Sequence, residues 1–135
     1  MQRLLPRALL ALLLVLQACG KDGLGPESSE IGTYELVSVN GKAPPAPFFA
    51  VEVVSATIQL EDDQKYQTKS TIRGTDNLGE LISQTSTGGG MYVRTDNTLQ
   101  LTSRLGKVTV AAYAGRTLTI DEQSVVMVYR RTSAP

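Results

Sequence analysis

The chain has 135 residues, with 13 basic and 13 acidic side chains, one cysteine and no histidine. A single thiol rules out an internal disulfide. The missing imidazole excludes Ser-His-Asp and Cys-His nucleophilic arrangements and any zinc or copper site built on His or paired Cys. No basic surplus is present to supply the positive face that a nucleic acid selects.

Residues 1–7 carry Arg3 and Arg7 and no acid, residues 8–16 are wholly apolar, and Gln17-Ala18 is a polar-small step before Cys19. That order predicts a secretory signal over residues 1–18. Its apolar stretch is about half of the ~18–20 residues a membrane-spanning helix needs, so it directs export and does not stay as an anchor.

Leu16-Gln17-Ala18-Cys19 resembles the lipobox of bacterial lipoproteins, with Gln in a slot more often held by a smaller residue. The resemblance implies diacylglycerol on the Cys19 sulfur, cleavage after Ala18, and a further palmitate-type chain on the new amino group. One acyl chain binds a membrane only marginally, at about 10⁴ M⁻¹, whereas two or more anchor it stably. In that family an Asp after the cysteine favours retention at the inner membrane. Gly20 stands there instead, which points to the outer membrane of a two-membrane cell envelope and a periplasmic location.

Without residues 1–18 the chain has 117 residues, enough for one core, and 11 bases against 13 acids. Residues 20–30, GKDGLGPESSE, are aperiodic and rich in Gly, Ser and acid. Together with Cys19 they read as a tether over 19–30.

From Ile31 the period is two. Val54, Ala56, Ile58 and Leu60 alternate with polar residues, and Tyr66, Thr68, Ser70 and Ile72 share a face opposite Lys65, Gln67, Lys69, Thr71 and Arg73. Leu99 and Leu101 alternate with Thr98, Gln100 and Thr102, Val108, Val110 and Ala112 with Lys107, Thr109 and Ala111, and Leu118 and Ile120 with Thr117, Thr119 and Asp121. Each predicts a strand with one dry face. Runs at 31–40, 51–60, 64–73, 80–86, 90–95, 98–103, 107–113, 116–121 and 124–131 predict eight or nine strands.

Short turn signals separate the runs, so neighbours in sequence should pair antiparallel. Glu61-Asp62-Asp63 reads as a solvated turn, Asp76-Asn77-Leu78-Gly79-Glu80 as a loop without calcium-loop spacing, and Gly88-Gly89-Gly90 as a hinge or bulge. No metal or cofactor is implied. The expected fold is all-β, an antiparallel up-and-down meander over 31–131 closing into a barrel of about eight strands, with 132–135 a tail. Apolar residues on both faces of 32–40 and 125–131 suit strands that meet at the closure. A β-sandwich is the alternative, and only residues 41–50 look like the crossing connection it needs.

Gly32-Thr33-Tyr34-Glu35-Leu36-Val37-Ser38-Val39-Asn40-Gly41 resembles the opening strand of small bacterial lipocalin-like domains. The likeness continues through the Leu60 to Tyr66 hairpin to a closing Tyr129-Arg130-Arg131. It implies a barrel floor in which Tyr34, here in place of the family's usual Trp, stacks with Arg130 or Arg131. A cation over an aromatic face contributes about 0.5–2 kcal/mol.

Two features are candidates for function. Ala43-Pro44-Pro45-Ala46-Pro47-Phe48-Phe49 is stiffened by prolines that are expected to hold it off the sheet. It presents both phenylalanines side by side, either as a plug completing the core or as a lid or docking patch. The second is the barrel interior, with Ile58, Tyr66, Thr68, Ser70, Leu99, Leu101 and Val110 as further candidate cavity residues. An eight-stranded barrel is either filled or has room for one small ligand. These observations suggest a non-enzymatic, membrane-anchored lipoprotein that binds a small apolar or amphipathic molecule. The alternative is a solid barrel that contacts another envelope component. Replacing Cys19→Ser is expected to abolish incorporation of a palmitate analogue and shift the protein out of the membrane fraction. A wild-type chain that takes up no label would overturn the lipoprotein reading.

Overall fold

The period-two pattern is realised as nine strands in a computed structural model that describes residues 29–133. The signal segment 1–18, Cys19 and most of the tether lie outside the described residues, as do 134 and 135. The strands are β1 (Gly32–Val39), β2 (Ala46–Phe48), β3 (Val51–Leu60), β4 (Lys65–Thr75), β5 (Leu81–Thr95), β6 (Thr98–Ser103), β7 (Val108–Ala114), β8 (Thr117–Glu122) and β9 (Val125–Ser133). Among the described residues there is no helix.

Neighbours in sequence pair antiparallel from β2 to β9, and β1 pairs β9 on one side and β3 on the other. Eight strands therefore close on themselves, while β2 pairs the start of β3 on the same side that β1 takes further along. Closure removes the edges that an open meander would leave unpaired. The turns match the right-handed twist of the strands they join. Gln123 and Ser124, between β8 and β9, both have positive φ, as a two-residue hairpin turn of type I′ requires.

Bulges explain why two strands are apolar on both faces. In β1 the register shifts between Leu36 and Ser38, so the inward set changes from Tyr34 and Leu36 to Val39. In β3 a shift between Val53 and Ser55 puts Val53 into the core ahead of Ala56, Ile58 and Leu60. Val54, expected on the inner face, is therefore only half-buried.

Four other expectations are corrected. The runs at 80–86 and 90–95 are one strand, and Gly88, Gly89 and Gly90 pair Thr68, Gln67 and Tyr66 within it instead of forming a hinge. The proline segment is not held off the sheet, because Ala46, Pro47 and Phe48 pair Val53, Glu52 and Val51. Pro47 is tolerated because β2 is an outer strand, paired on one side only. On β7 the inward face is the opposite of the expected one. Ala111 and Tyr113 are buried, whereas Val108, Val110 and Ala112 face out. Tyr113 is the largest side chain on the strand, and its ring is covered inside the barrel with the Arg94 guanidinium over it, which turns its own face inward. Finally, Thr132 and Ser133 belong to β9 and not to a tail.

The glycine run reflects close approach of backbones. A Cβ at Gly90 would lie 2.0 Å from the Thr102 carbonyl oxygen and 2.9 Å from the Ser103 Cα. At Gly88 the nearest atom is the rotatable Thr68 hydroxyl, at 2.9 Å. Gly90→Ala is expected to cost about 1–3 kcal/mol by overpacking, and Gly88→Ala less than about half of that. Denaturant midpoints of the two variants measured beside the wild type check this order.

Candidate functional site

The barrel has a closed end and an open end, and they are built from different chemistry. The chain enters at the closed end, where Ser29, Glu30 and Ile31 cross beneath the barrel. The Tyr34 hydroxyl donates to the Glu30 carbonyl at 2.6 Å, and the Arg131 guanidinium donates to the carbonyls of Ser29 and Ile31. Two residues expected to belong to a free tether are thus tied down.

The floor is formed by three tyrosines and an ion pair. Tyr34, Tyr92 and Tyr113 are all buried, and the Arg94 guanidinium lies 4.7 Å from the Tyr113 ring centroid. Arg94 Nη1 is 3.0 Å from Glu30 Oε2, with both side chains largely covered. The Tyr92 hydroxyl donates to the Glu61 carbonyl at 2.9 Å. The aromatic-cation floor implied by the lipocalin resemblance thus involves a different pair. Tyr34 is fully buried there, but the cation stacked on an aromatic is Arg94. Arg130 is exposed, and Arg131 reaches backbone carbonyls. The signal in the sequence was Tyr92 and Arg94 on one face of one strand, an inward charge beside an aromatic. Above the floor Leu60, Leu99 and Leu118 are completely buried and fill the barrel.

Toward the other end the filling stops. A cavity of about 410 Å³ is lined by Phe48, Val53, Ala56, Ile58, Tyr66, Ile72, Leu101, Ile120, Met127 and Tyr129, with Thr68, Ser70 and Thr109 as polar lining. Small side chains leave the room. Ala56 pairs Ser70 across β3 and β4, and the Ser70 hydroxyl hydrogen-bonds that of Ser86 on β5 at 3.0 Å. At the rim, Lys107 Nζ lies 3.3 Å from Glu122 Oε2. This pair sits where the β7–β8 ladder has ended at Ala111 and Ile120.

Of the predicted cavity residues, Phe48, Ile58, Tyr66, Thr68, Ser70 and Leu101 meet around this space. Leu99 is buried below it, and Val110 is 54% exposed on the outer face. The phenylalanine pair is split. Phe48 packs against the core and lines the cavity, while Phe49 is 72% exposed. Phe49 occupies the turn between β2 and β3 with φ of 53°, which aims its ring out of the barrel, edge-on to Phe48 with centroids 4.9 Å apart. Neither a two-ring plug nor a two-ring lid describes them. The acidic stretches are accounted for as turns. Asp76 Oδ1 accepts from the Leu78 and Glu80 amides, and Glu61 accepts from the Gln67 side-chain amide. Among the described residues no group of three or more metal-ligating side chains forms.

No family model matches the sequence, and no curated protein matches it. Among solved structures, the Cpx pathway activator NlpE from Escherichia coli is similar, with 16% identity and a TM-score of 0.47. The match covers 68% of this chain and 42% of that one. At that score the likeness supports no inference about activity or partners.

The buried tyrosines make stability sensitive to alkali. Burial pushes the Tyr129 hydroxyl up to about 12. Burial, with the Glu30 charge next, does the same to Tyr92, from an ordinary value of 10.0. The folded state thus holds protons that the unfolded state releases first. This contribution is intact below about pH 10 and is lost as pH rises through about 12. Unfolding is expected to become easier over that window, with tyrosinate absorbance appearing cooperatively with loss of structure. Tyrosinate forming before unfolding would contradict it.

Proposed function

We propose that this chain is a lipid-anchored envelope lipoprotein, without enzymatic activity, whose barrel holds a small, mostly apolar molecule at its open end. The observation that carries the binding reading is the cavity of about 410 Å³ with largely apolar walls. It falls in the range of roughly 300–1,000 Å³ that small-molecule sites occupy. The polar end of an amphipathic ligand would face the Lys107–Glu122 rim, and its apolar part would lie against Ile58, Leu101 and Met127. The anchor rests on the Leu16-Gln17-Ala18-Cys19 motif. Because Ser29 and Glu30 are held at the closed end, an acylated Cys19 ten residues earlier would set that end toward the membrane and leave the mouth facing away.

A second reading, a protein that docks another envelope component, has its own observation. Phe49, Leu78 and Leu105 are 72%, 86% and 97% exposed, and all three lie on turns at the open end. Ala56→Phe fills the cavity without touching those turns. The binding reading expects wild type to take up an amphiphilic naphthylamine fluorophore and Ala56→Phe to bind it at least about tenfold more weakly, a change of ~1.4 kcal/mol. It also expects a co-purifying small molecule in native mass spectra of wild type from its own host. Equal dye binding by both proteins, or none by wild type, would sink the cavity reading and leave docking at the turns.

A further inference from the structure

Among the described residues the barrel wall has a long edge without a partner. β5 pairs β4 over its first eleven residues, 81–91, but β6 joins it only from Gly90 onward. The Gly89 carbonyl accepts from the Arg104 amide at 3.1 Å and ends the covered part. Among the described residues no strand pairs the outer side of residues 81–88, and all eight are exposed. Because backbone groups alternate sides along an antiparallel ladder, Gly89 fixes the phase. The amides and carbonyls of Leu81, Ser83, Thr85 and Thr87 point to the open side.

Natural sheets protect such edges with charge, proline or bulges. Here residues 81–90, LISQTSTGGG, contain no charge and no proline, and the ladder to β4 runs without a register shift. Leu81 and Ile82 are 74% and 50% exposed at one end of the segment, and bare glycines lie at the other.

We propose that this edge pairs with the same edge of a second copy of the chain, antiparallel about a two-fold axis at Thr85. A two-fold contact places each residue opposite its counterpart across the axis. Ser83 meets Thr87 of the second copy and Ile82 meets the second copy's Gly88, while Leu81 ends the contact beside the Arg104 turn that already covers Gly89. No like charges face each other at any position, which is the condition for a strand to tolerate itself as neighbour. The choice of a second copy over a foreign peptide rests on this large-against-glycine match. The inward side chains of Gln84 and Ser86 lie beside the cavity mouth, so the added strand extends the wall on its open side. The contact is a single strand pair and is therefore of the weak, concentration-dependent kind.

Thr85→Lys places two like charges at the axis. Thr85→Pro removes an amide that β4 does not use, so the β4–β5 ladder is left intact. The full chain, acylated and in detergent, is followed by sedimentation across a concentration series together with amide hydrogen exchange. Wild type is expected to pass from monomer to dimer as concentration rises, with slowed exchange at Ser83, Thr85 and Thr87 in the dimer. Both variants are expected to dimerise at least about tenfold more weakly with unchanged melting temperature. Should Thr85→Pro lose its fold, Thr85→Lys alone decides. Three results would each overturn the proposal: a wild type that is monomeric throughout, protection that does not depend on concentration, or a dimer indifferent to Thr85→Lys. The second of these would indicate cover by the chain's own N-terminal residues.

Discussion

The structure depends on β1 being shared between two neighbours. Thr33, Tyr34 and Glu35 have cross-strand partners in both β3 and β9. Without that double pairing the meander would be a curved sheet with two open edges and no interior. A chain of this length has little core to spare and no disulfide to replace it, so hydrogen bonding around the ring has to hold the domain together. The bulge after Leu36 is part of the same solution. It lets one short strand present Tyr34 and Leu36 to the lower barrel and Val39 to the upper. The two partners of β1 take different stretches of it, since β3 reaches only as far as Glu35 while β9 follows to Val39.

Closure at the lower end and openness at the upper end follow from where the large side chains fall. All five tyrosines are buried, and three of them gather at the floor with Arg94 and Glu30. The Tyr34 and Tyr92 hydroxyls satisfy backbone carbonyls where Glu30 and Glu61 pass under the barrel. At the other end the inward residues include the small side chains of Ala56, Thr68, Ser70 and Thr109, and Gly88 carries no side chain. They do not fill the circle of an eight-stranded barrel. One ring therefore contains a packed base and a hollow top. Among the described residues the chain reaches the base first.

The ladder is also uneven around the ring. β4 is paired on both sides from Tyr66 to Arg73, and the Arg73–Glu52 ion pair at 2.7 Å marks its upper limit with β3. Among the described residues β5 continues upward beside it without a second neighbour, and β7 separates from β8 above Ala111. The wall is thus lowest between the start of β5 and the start of β7, next to the cavity. Apolar side chains at the adjacent turns, Leu78 and Leu105, lie along this low side. The uncovered strand edge and the cavity mouth are neighbours for the same reason, since β6 is too short to reach the height of the β4–β5 hairpin.

By itself the sequence determined the fold class, the meander order and most of the strands, because period-two alternation and short polar turns are local signals that each segment carries alone. It also determined the inner faces of β4, β6 and β8, where polar and apolar residues separate cleanly. It did not determine the inner face of β7, where Val110 and Tyr113 compete and burial of the ring wins only once the core exists. Nor did it separate Phe48 from Phe49, since the left-handed turn that turns one ring outward is set by β2 pairing with β3. The glycine run looked like a hinge because closeness to β4 and β6 is invisible along a single strand. Arg94 over Tyr113, with Glu30 sealing the floor, joins residues far apart in the chain, and only closure of the barrel decided that they meet.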